Sequence, residues 1–134
     1  MTEPVWVEKE ALLLLHTKGL ARFGGIEGIR DEGLLDSALA RPRNAFHYDR
    51  LNDIAGLSAS YAFGLAKNHP FADGNKRAGL HIAFAFARVN GLAIVAPEDA
   101  VVELGYAVAQ GRWDEEAVDA WLRRYSEPVI EEVA

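Results

Sequence analysis

An all-α domain, a compact bundle of about six helices, is the fold class this chain predicts, on three observations. Apolar residues recur at three-to-four-residue spacing through most of its length. Glycines and prolines fall at intervals that match helix ends. No internal repeat or low-complexity linker divides the sequence, so residues 1–134 read as one domain, and with half of its residues apolar it has enough for its own core.

A first helix is expected from Val7 to Leu20, with Leu13, Leu14 and Leu15 in its middle and Gly19 near its end. Phe23-Gly24-Gly25-Ile26-Glu27-Gly28-Ile29-Arg30 reads as a shaped loop. It follows a helix and not a strand, and it lacks the Lys-Ser/Thr ending of a P-loop. Asp31 suits the N-cap of a short helix through Ala40, stopped before Pro42, with Arg41 to Arg50 irregular. From Asn52 to Asn68 the apolar series Ile54, Leu57, Tyr61 and Leu65 makes an amphipathic helix with one buried stripe.

The next helix, Lys76 to Val89, has almost no polar face, which places it at the centre of the bundle. Asn90-Gly91 closes it as a C-cap, and Leu92 to Ala96 is too short to decide between strand and extended loop. Pro97 fits the first position of a helix to Gln110, followed by Gly111. Asp114, Glu115 and Glu116 then put negative charge at the start of a last helix through Tyr125.

Composition excludes several chemistries. The absence of cysteine removes disulfides, thiolate metal sites and cysteine nucleophiles, and makes the cytoplasm the expected compartment. No uncharged run of 18 apolar residues is present, and Met1-Thr2-Glu3-Pro4 is unlike a signal peptide, so neither membrane spanning nor secretion is expected. The net charge of −6 is uneven: residues 98–134 hold ten acids and three bases, whereas residues 1–97 are nearly balanced. An acidic total argues against a nucleic-acid binder, which presents a basic face or stripe.

Chemistry concentrates in His69-Pro70-Phe71-Ala72-Asp73-Gly74-Asn75-Lys76-Arg77. Pro70 biases His69 out of the helical region, ending one helix near Asn68 just before the apolar run restarts another. A loop feeding a helix N-terminus favours anions, and this residue set suits a nucleotide phosphate. Histidine titrates near neutrality and suits a general base for an attacking hydroxyl. Asp73 suits Mg²⁺, which takes one or two carboxylates plus phosphate oxygens; equally, it suits an N-cap. Gly74 permits a positive φ or a close phosphate. Asn75 either holds the loop or donates to a phosphate oxygen. Lys76 and Arg77 oppose the helix dipole unless an anion lies between, and that local conflict marks function. Phe71 should anchor the loop in the core. His81 reads as a satisfied core residue, His16 and His47 have no partner at metal-ligand spacing, and Trp6, Trp113 and Trp121 read as packing aromatics.

The loop resembles the signature of the Fic/Doc superfamily, His-x-Phe-x-Asp/Glu-Gly-Asn-Gly-Arg-x-x-Arg. Lys76 stands where that pattern has its second glycine, and Leu80 where it has its second arginine. Both departures are those of the Doc branch, the death-on-curing toxins. The likeness extends to Phe23-Gly24-Gly25, Gly28-Ile29-Arg30-Asp31, Leu34-Leu35-Asp36-Ser37-Ala38-Leu39, Arg41-Pro42, Asn68 and Asn90-Gly91.

The resemblance implies a six-helix toxin of a bacterial toxin–antitoxin pair, similar to kinases in activity, which moves the γ-phosphate of ATP onto a threonine of elongation factor Tu and stops translation. It would make His69 the base, Asp73 the Mg²⁺ ligand, and Asn75, Lys76 and Arg77 the phosphate grip, with Gly74 allowing close approach. It further implies an antitoxin that covers an apolar groove with a helix. Nucleotidyl transfer is the nearest rival, opposed by the bulk and charge of Lys76 and by Leu80. A non-catalytic binding member is a second alternative, and RNA cleavage, disfavoured by the acidic total, a third.

Overall fold

The computed structural model describes residues 2–49 and 51–129. Six helices follow in order: α1 Lys9–Phe23, α2 Glu32–Tyr48, α3 Ile54–Asn68, α4 Asn75–Val89, α5 Glu98–Ala109 and α6 Glu115–Arg124. Two short strands, β1 Leu92–Ile94 and β2 Ser126–Pro128, complete the regular structure of the described residues. The all-α expectation is met, and none of the helices is long and apolar enough to cross a membrane.

Three helix starts have the same local cause. The carboxylates of Asp31, Asp53 and Asp114 accept the N–H groups of Leu34 at 2.9 Å, Gly56 at 2.8 Å and Ala117 at 2.9 Å, which satisfies one orphan donor each. The start of α5 is shifted by one residue from expectation: Pro97 is its N-cap, in an extended conformation, and Glu98 its first helical residue. The last helix closes at Arg124, with Tyr125 as its cap.

One larger expectation is corrected. Helix α2 does not stop before Pro42 but runs on to Tyr48, so most of the supposedly irregular stretch is helical. An interior proline forfeits a backbone bond and costs roughly 3 kcal/mol in an isolated helix. Here Pro42 is buried on the same face as Leu35 and Ala38, and the continuation carries Ala45 and Phe46 onto the core, so packing offsets the loss. Helix α4 is central, as its apolar composition requires, packed against α1, α3, α5 and β1, and α3 beside it is enclosed still further. Ten residues of α3 are buried, among them Ala55, Gly56, Ser58, Ala59, Ser60, Ala62 and Gly64. These small side chains let neighbours approach on every side, an effect a count of large apolar residues misses. Helix α4 is buried along Ala78, Gly79, Ile82, Ala83, Phe86 and Ala87, but its end at Val89 is exposed.

The core divides into two clusters flanking α3 and α4. One joins Leu12, Leu35, Leu57, Tyr61, Leu65, Phe71, Ile82 and Phe86, with Trp6 stacked on Phe86 at 5.8 Å between ring centroids. The other joins Ala59, Ala83, Leu104, Val118, Trp121 and Leu122, with Trp113 and Leu80 packed against it. The undecided segment after α4 is a strand: β1 pairs antiparallel with β2, Ala93 opposite Glu127, and so ties the two halves of the second cluster together. Its partner follows α6, beyond the reach of local pattern.

Asp53 both caps α3 and accepts the Arg123 guanidinium at 2.6 Å. Asp53→Ala is expected to lower the unfolding free energy by about 1–2 kcal/mol in urea titrations. Asp53→Asn, which keeps a cap acceptor, should lose less than half as much.

Candidate active site

The loop between α3 and α4 is held from three directions. From within, Asn75 is buried and its carboxamide closes a ring with the main chain of Phe71: Oδ1 accepts the Phe71 N–H at 2.9 Å, and Nδ2 donates to the Phe71 carbonyl at 3.0 Å. Of the two expectations for Asn75, holding the loop is therefore the one its side chain fulfils. Phe71 is fully buried, as its apolar ring requires.

From below, α1 presents His16 on its buried face. Its ring lies parallel to that of Phe71, 3.7 Å between centroids and 8° between planes, and its Nε2 is 2.7 Å from the carbonyl oxygen of Asp73. Spacing gives His16 no metal-ligand partner and no other role; its place beside Leu12 and Gly19 on the inward face of α1 is the signal that marks it.

From the side, the glycine-rich stretch straps the loop. Ile29 and Phe71 form an antiparallel bridge, Ala72 N–H donates to the Gly28 carbonyl at 2.9 Å, and Arg30 N–H donates to the Pro70 carbonyl at 2.7 Å. The Arg30 side chain donates from Nε to the His69 carbonyl at 2.7 Å and from Nη2 to the Asn68 carbonyl at 2.9 Å. No local pattern marked Arg30, since its partners lie 38 and 39 residues away.

These ties fix His69 in the left-handed region, φ 47° and ψ 54°, where it caps α3; it is the one non-glycine residue with positive φ among those described. Such a conformation costs on the order of 1–3 kcal/mol and persists only where its surroundings impose it. Its side chain is exposed at the loop's edge, available to a substrate.

Asp73 is not the N-cap of α4; Gly74, at φ 75°, takes that place. The exposed Asp73 carboxylate instead accepts Ile26 N–H at 3.1 Å and Gly74 N–H at 2.9 Å, and these two bonds hold it below the usual carboxylate range, aided by the nearby Arg77 charge. Gly25, at φ 131°, makes this contact possible: a Cβ there would lie 2.9 Å from Asp73 Oδ2. Each oxygen keeps a lone pair, so the group fits Mg²⁺, which binds few carboxylates and many ligand oxygens. Among the described residues no group of three or more His, Asp or Glu gathers as a metal cage.

The first turn of α4 leaves backbone N–H groups of Asn75, Lys76 and Arg77 outside the helical ladder, whose first bond is Ala78 N–H to Gly74 carbonyl at 2.9 Å. Lys76 is exposed, on the same side as His69. Arg77 points the other way, across Gly19 of α1, with its guanidinium 5.0 Å from the Phe23 ring centroid and 3.3 Å from the Gly24 carbonyl. His81, one turn further, is not a satisfied core residue: it is half-buried near Arg77 and Arg22, and burial first, then those charges, lower its pKa. His69, Asp73, Gly74, Asn75, Lys76 and Arg77 thus share one loop and helix turn, with Asn75 directed inward and the charged groups outward.

This chain belongs to the Fic/DOC family, whose pattern it matches over residues 6–87, from before α1 nearly to the end of α4. Within the family its relatives stand on the Doc branch. It is 32% identical over 105 residues to the protein kinase doc of Escherichia phage P1, an alignment covering 78% of this chain and 83% of that protein. It is 40% identical over 103 residues to the toxin Doc of Mycolicibacterium smegmatis, covering 74% of this chain and 73% of the relative.

Two outcomes are expected from this geometry. His16→Ala should destabilise the chain by about 2–4 kcal/mol in urea unfolding, since it removes a buried hydrogen bond and leaves a void under Phe71. Because the Asp73 pKa is depressed by folding, the stability it contributes is present above the unfolded carboxylate pKa and is lost as pH falls through the lower folded value. The stability gap between wild type and Asp73→Asn, measured by urea unfolding across a pH series, should therefore be widest near neutrality and close in acid below about pH 4.

Proposed function

We propose that this chain is the toxin of a bacterial toxin–antitoxin pair and a protein kinase that transfers the γ-phosphate of ATP to a threonine hydroxyl of elongation factor Tu. One observation carries the reading: an exposed histidine, held in a strained backbone conformation, stands beside a helix N-terminus with free N–H groups, flanked by Lys76 on the histidine's side and by Arg77 on the other. Phosphoryl transfer asks for charge neutralisation and an aligned nucleophile, with little covalent help from the protein.

In this reaction His69 accepts the proton of the threonine hydroxyl while a bond forms between that oxygen and the γ-phosphorus. The bond from the γ-phosphorus to the β,γ-bridging oxygen breaks, and ADP leaves with its electron pair. Lys76, Arg77 and the first N–H groups of α4 balance the charge on the phosphoryl oxygens, and Gly74 lets them come close. Asp73 would hold Mg²⁺, whose charge offsets that of the phosphates. Asn75 acts through the loop, by keeping Phe71 and the α4 N-terminus in register.

The relatives support the two halves of the reading, one being named a kinase and the other a toxin. A toxin of this kind works in the cytoplasm, where its substrate is, and is silenced by a cognate antitoxin laid as a helix in an apolar groove. Nucleotidyl transfer is disfavoured by Leu80, which packs into the second apolar cluster and adds no cation to the turn.

The decisive measurement incubates the purified chain with cell lysate and ATP labelled at the α or the γ position. Label from γ should appear on a protein the size of elongation factor Tu and fall by about 10²-fold or more with His69→Ala. Label from α on protein would overturn the kinase reading.

A further inference from the structure

Arg30 grips three successive carbonyls at the entry to the motif loop. Its backbone N–H donates to the Pro70 carbonyl at 2.7 Å, its Nε to the His69 carbonyl at 2.7 Å and its Nη2 to the Asn68 carbonyl at 2.9 Å. We propose that Arg30 is a positioning residue for the general base: by holding these carbonyls it keeps His69 left-handed, and so keeps the imidazole in front of the α4 N-terminus. This rests on His69 being the base of the phosphoryl-transfer reading, and adds to it the residue that sets the base's conformation.

The three carbonyls are ones the fold leaves in need of a donor. Asn68 ends α3, so its carbonyl and that of His69 have no helical partner, and Pro70 brings no N–H of its own. At φ 47° and ψ 54°, His69 occupies a region that a residue with a Cβ rarely adopts, and it does so without the freedom of glycine. A guanidinium suits the task better than an ammonium. Nε and one Nη present two N–H groups in a rigid fork, which can meet two adjacent carbonyls at once. Its charge, moreover, lies at the negative end of the α3 dipole.

Arg30 is itself braced on both sides. Ile29 before it bridges to Phe71, while Asp31 after it caps α2 through Leu34 N–H and gives its own N–H to the Pro70 carbonyl at 3.1 Å. Asn68 is tied to α2 in turn, its carboxamide donating to the Leu34 carbonyl at 3.1 Å. Among the described residues Arg30 forms no ion pair, and it is exposed, so its side-chain bonds serve the loop and not the core. The phosphate-binding turn is anchored separately, through Asn75 and Phe71. Loss of the guanidinium therefore releases the base and leaves the turn that carries Lys76 and Arg77 in place.

The test uses Arg30→Met, which keeps the apolar stem and removes every side-chain donor, with Arg30→Gln in its place if that variant does not fold. By NMR, the backbone carbon shifts of His69 should leave the left-handed range in the variant, whereas those of Phe71, Asn75 and Lys76 hold. In the phosphorylation assay kcat should fall by about 10- to 100-fold while KM for ATP changes by less than about twofold, since the base moves and the phosphate grip does not. Arg30→Lys, a point charge without the fork, should recover only part of the loss. In a His69→Ala background Arg30→Met should cost nothing further, because the group it positions is gone. Left-handed His69 shifts in a folded Arg30→Met variant, full activity in Arg30→Lys, or an undiminished loss in the His69→Ala background each overturn the proposal. No transfer of label by wild type rejects the kinase reading and not the clamp, which the His69 shifts then uphold or overturn by themselves.

Discussion

The contact between Asn75 and the main chain of Phe71 is the constraint on which the rest of the site depends. A buried carboxamide meets a buried N–H and carbonyl, and neither partner has water as an alternative, so opening the loop would strand four polar groups in an apolar environment. The same contact sets where α4 begins, because Asn75 is its first residue. His16 then lies flat on the outer face of Phe71 and reaches the Asp73 carbonyl, which couples the loop to α1 through one ring. Apolar packing and hydrogen bonding thus meet in the same four residues.

With that floor in place, the strap from Gly28 to Arg30 acts on the loop's outer edge. Its main chain pairs with residues 70 to 72, and the Arg30 guanidinium takes the carbonyls that α3 leaves without helical partners at its end. The strained backbone at His69 is the product of these opposing anchors: α3 must stop before Pro70, while the loop must return to bury Phe71. Strain here keeps the imidazole out of the core and in front of the α4 N-terminus. The carboxylate of Asp73 is oriented in the same way, by N–H groups from two separate segments, and Gly25 leaves the room that contact needs.

Charge is distributed about this scaffold by the turn of a helix. Lys76 and Arg77 are adjacent in sequence, and so roughly 100° apart around α4. One faces a cavity with Phe63 and Trp113, the other the end of α1 with Phe23 and His81. The first turn of α4 therefore has an aromatic-walled side and a side built from arginines.

Much of this was legible in the residues themselves. Helix starts at Asp31, Asp53 and Asp114, the end of α3 at Asn68 and the motif's position ahead of a helix follow from capping and from proline, whose effects reach only a few residues. The family was legible for the same reason, since its signature lies in one short run of residues. Distance along the chain decided the rest. Helix α2 runs through Pro42 because Phe46 finds the core, and β1 is a strand because β2 returns after α6. Helix α3 is enclosed even more than the central α4 because its alanines, glycines and serines admit neighbours. The inward turn of Asn75, the His16 floor, the Arg30 clamp and the aromatic cavity all join segments far apart in sequence. By itself the chain determined which groups could do chemistry, as that is a property of residue type and local backbone; only the tertiary structure decided which of them face solvent and which hold the others in place, because burial and long-range partners exist only once the chain has packed.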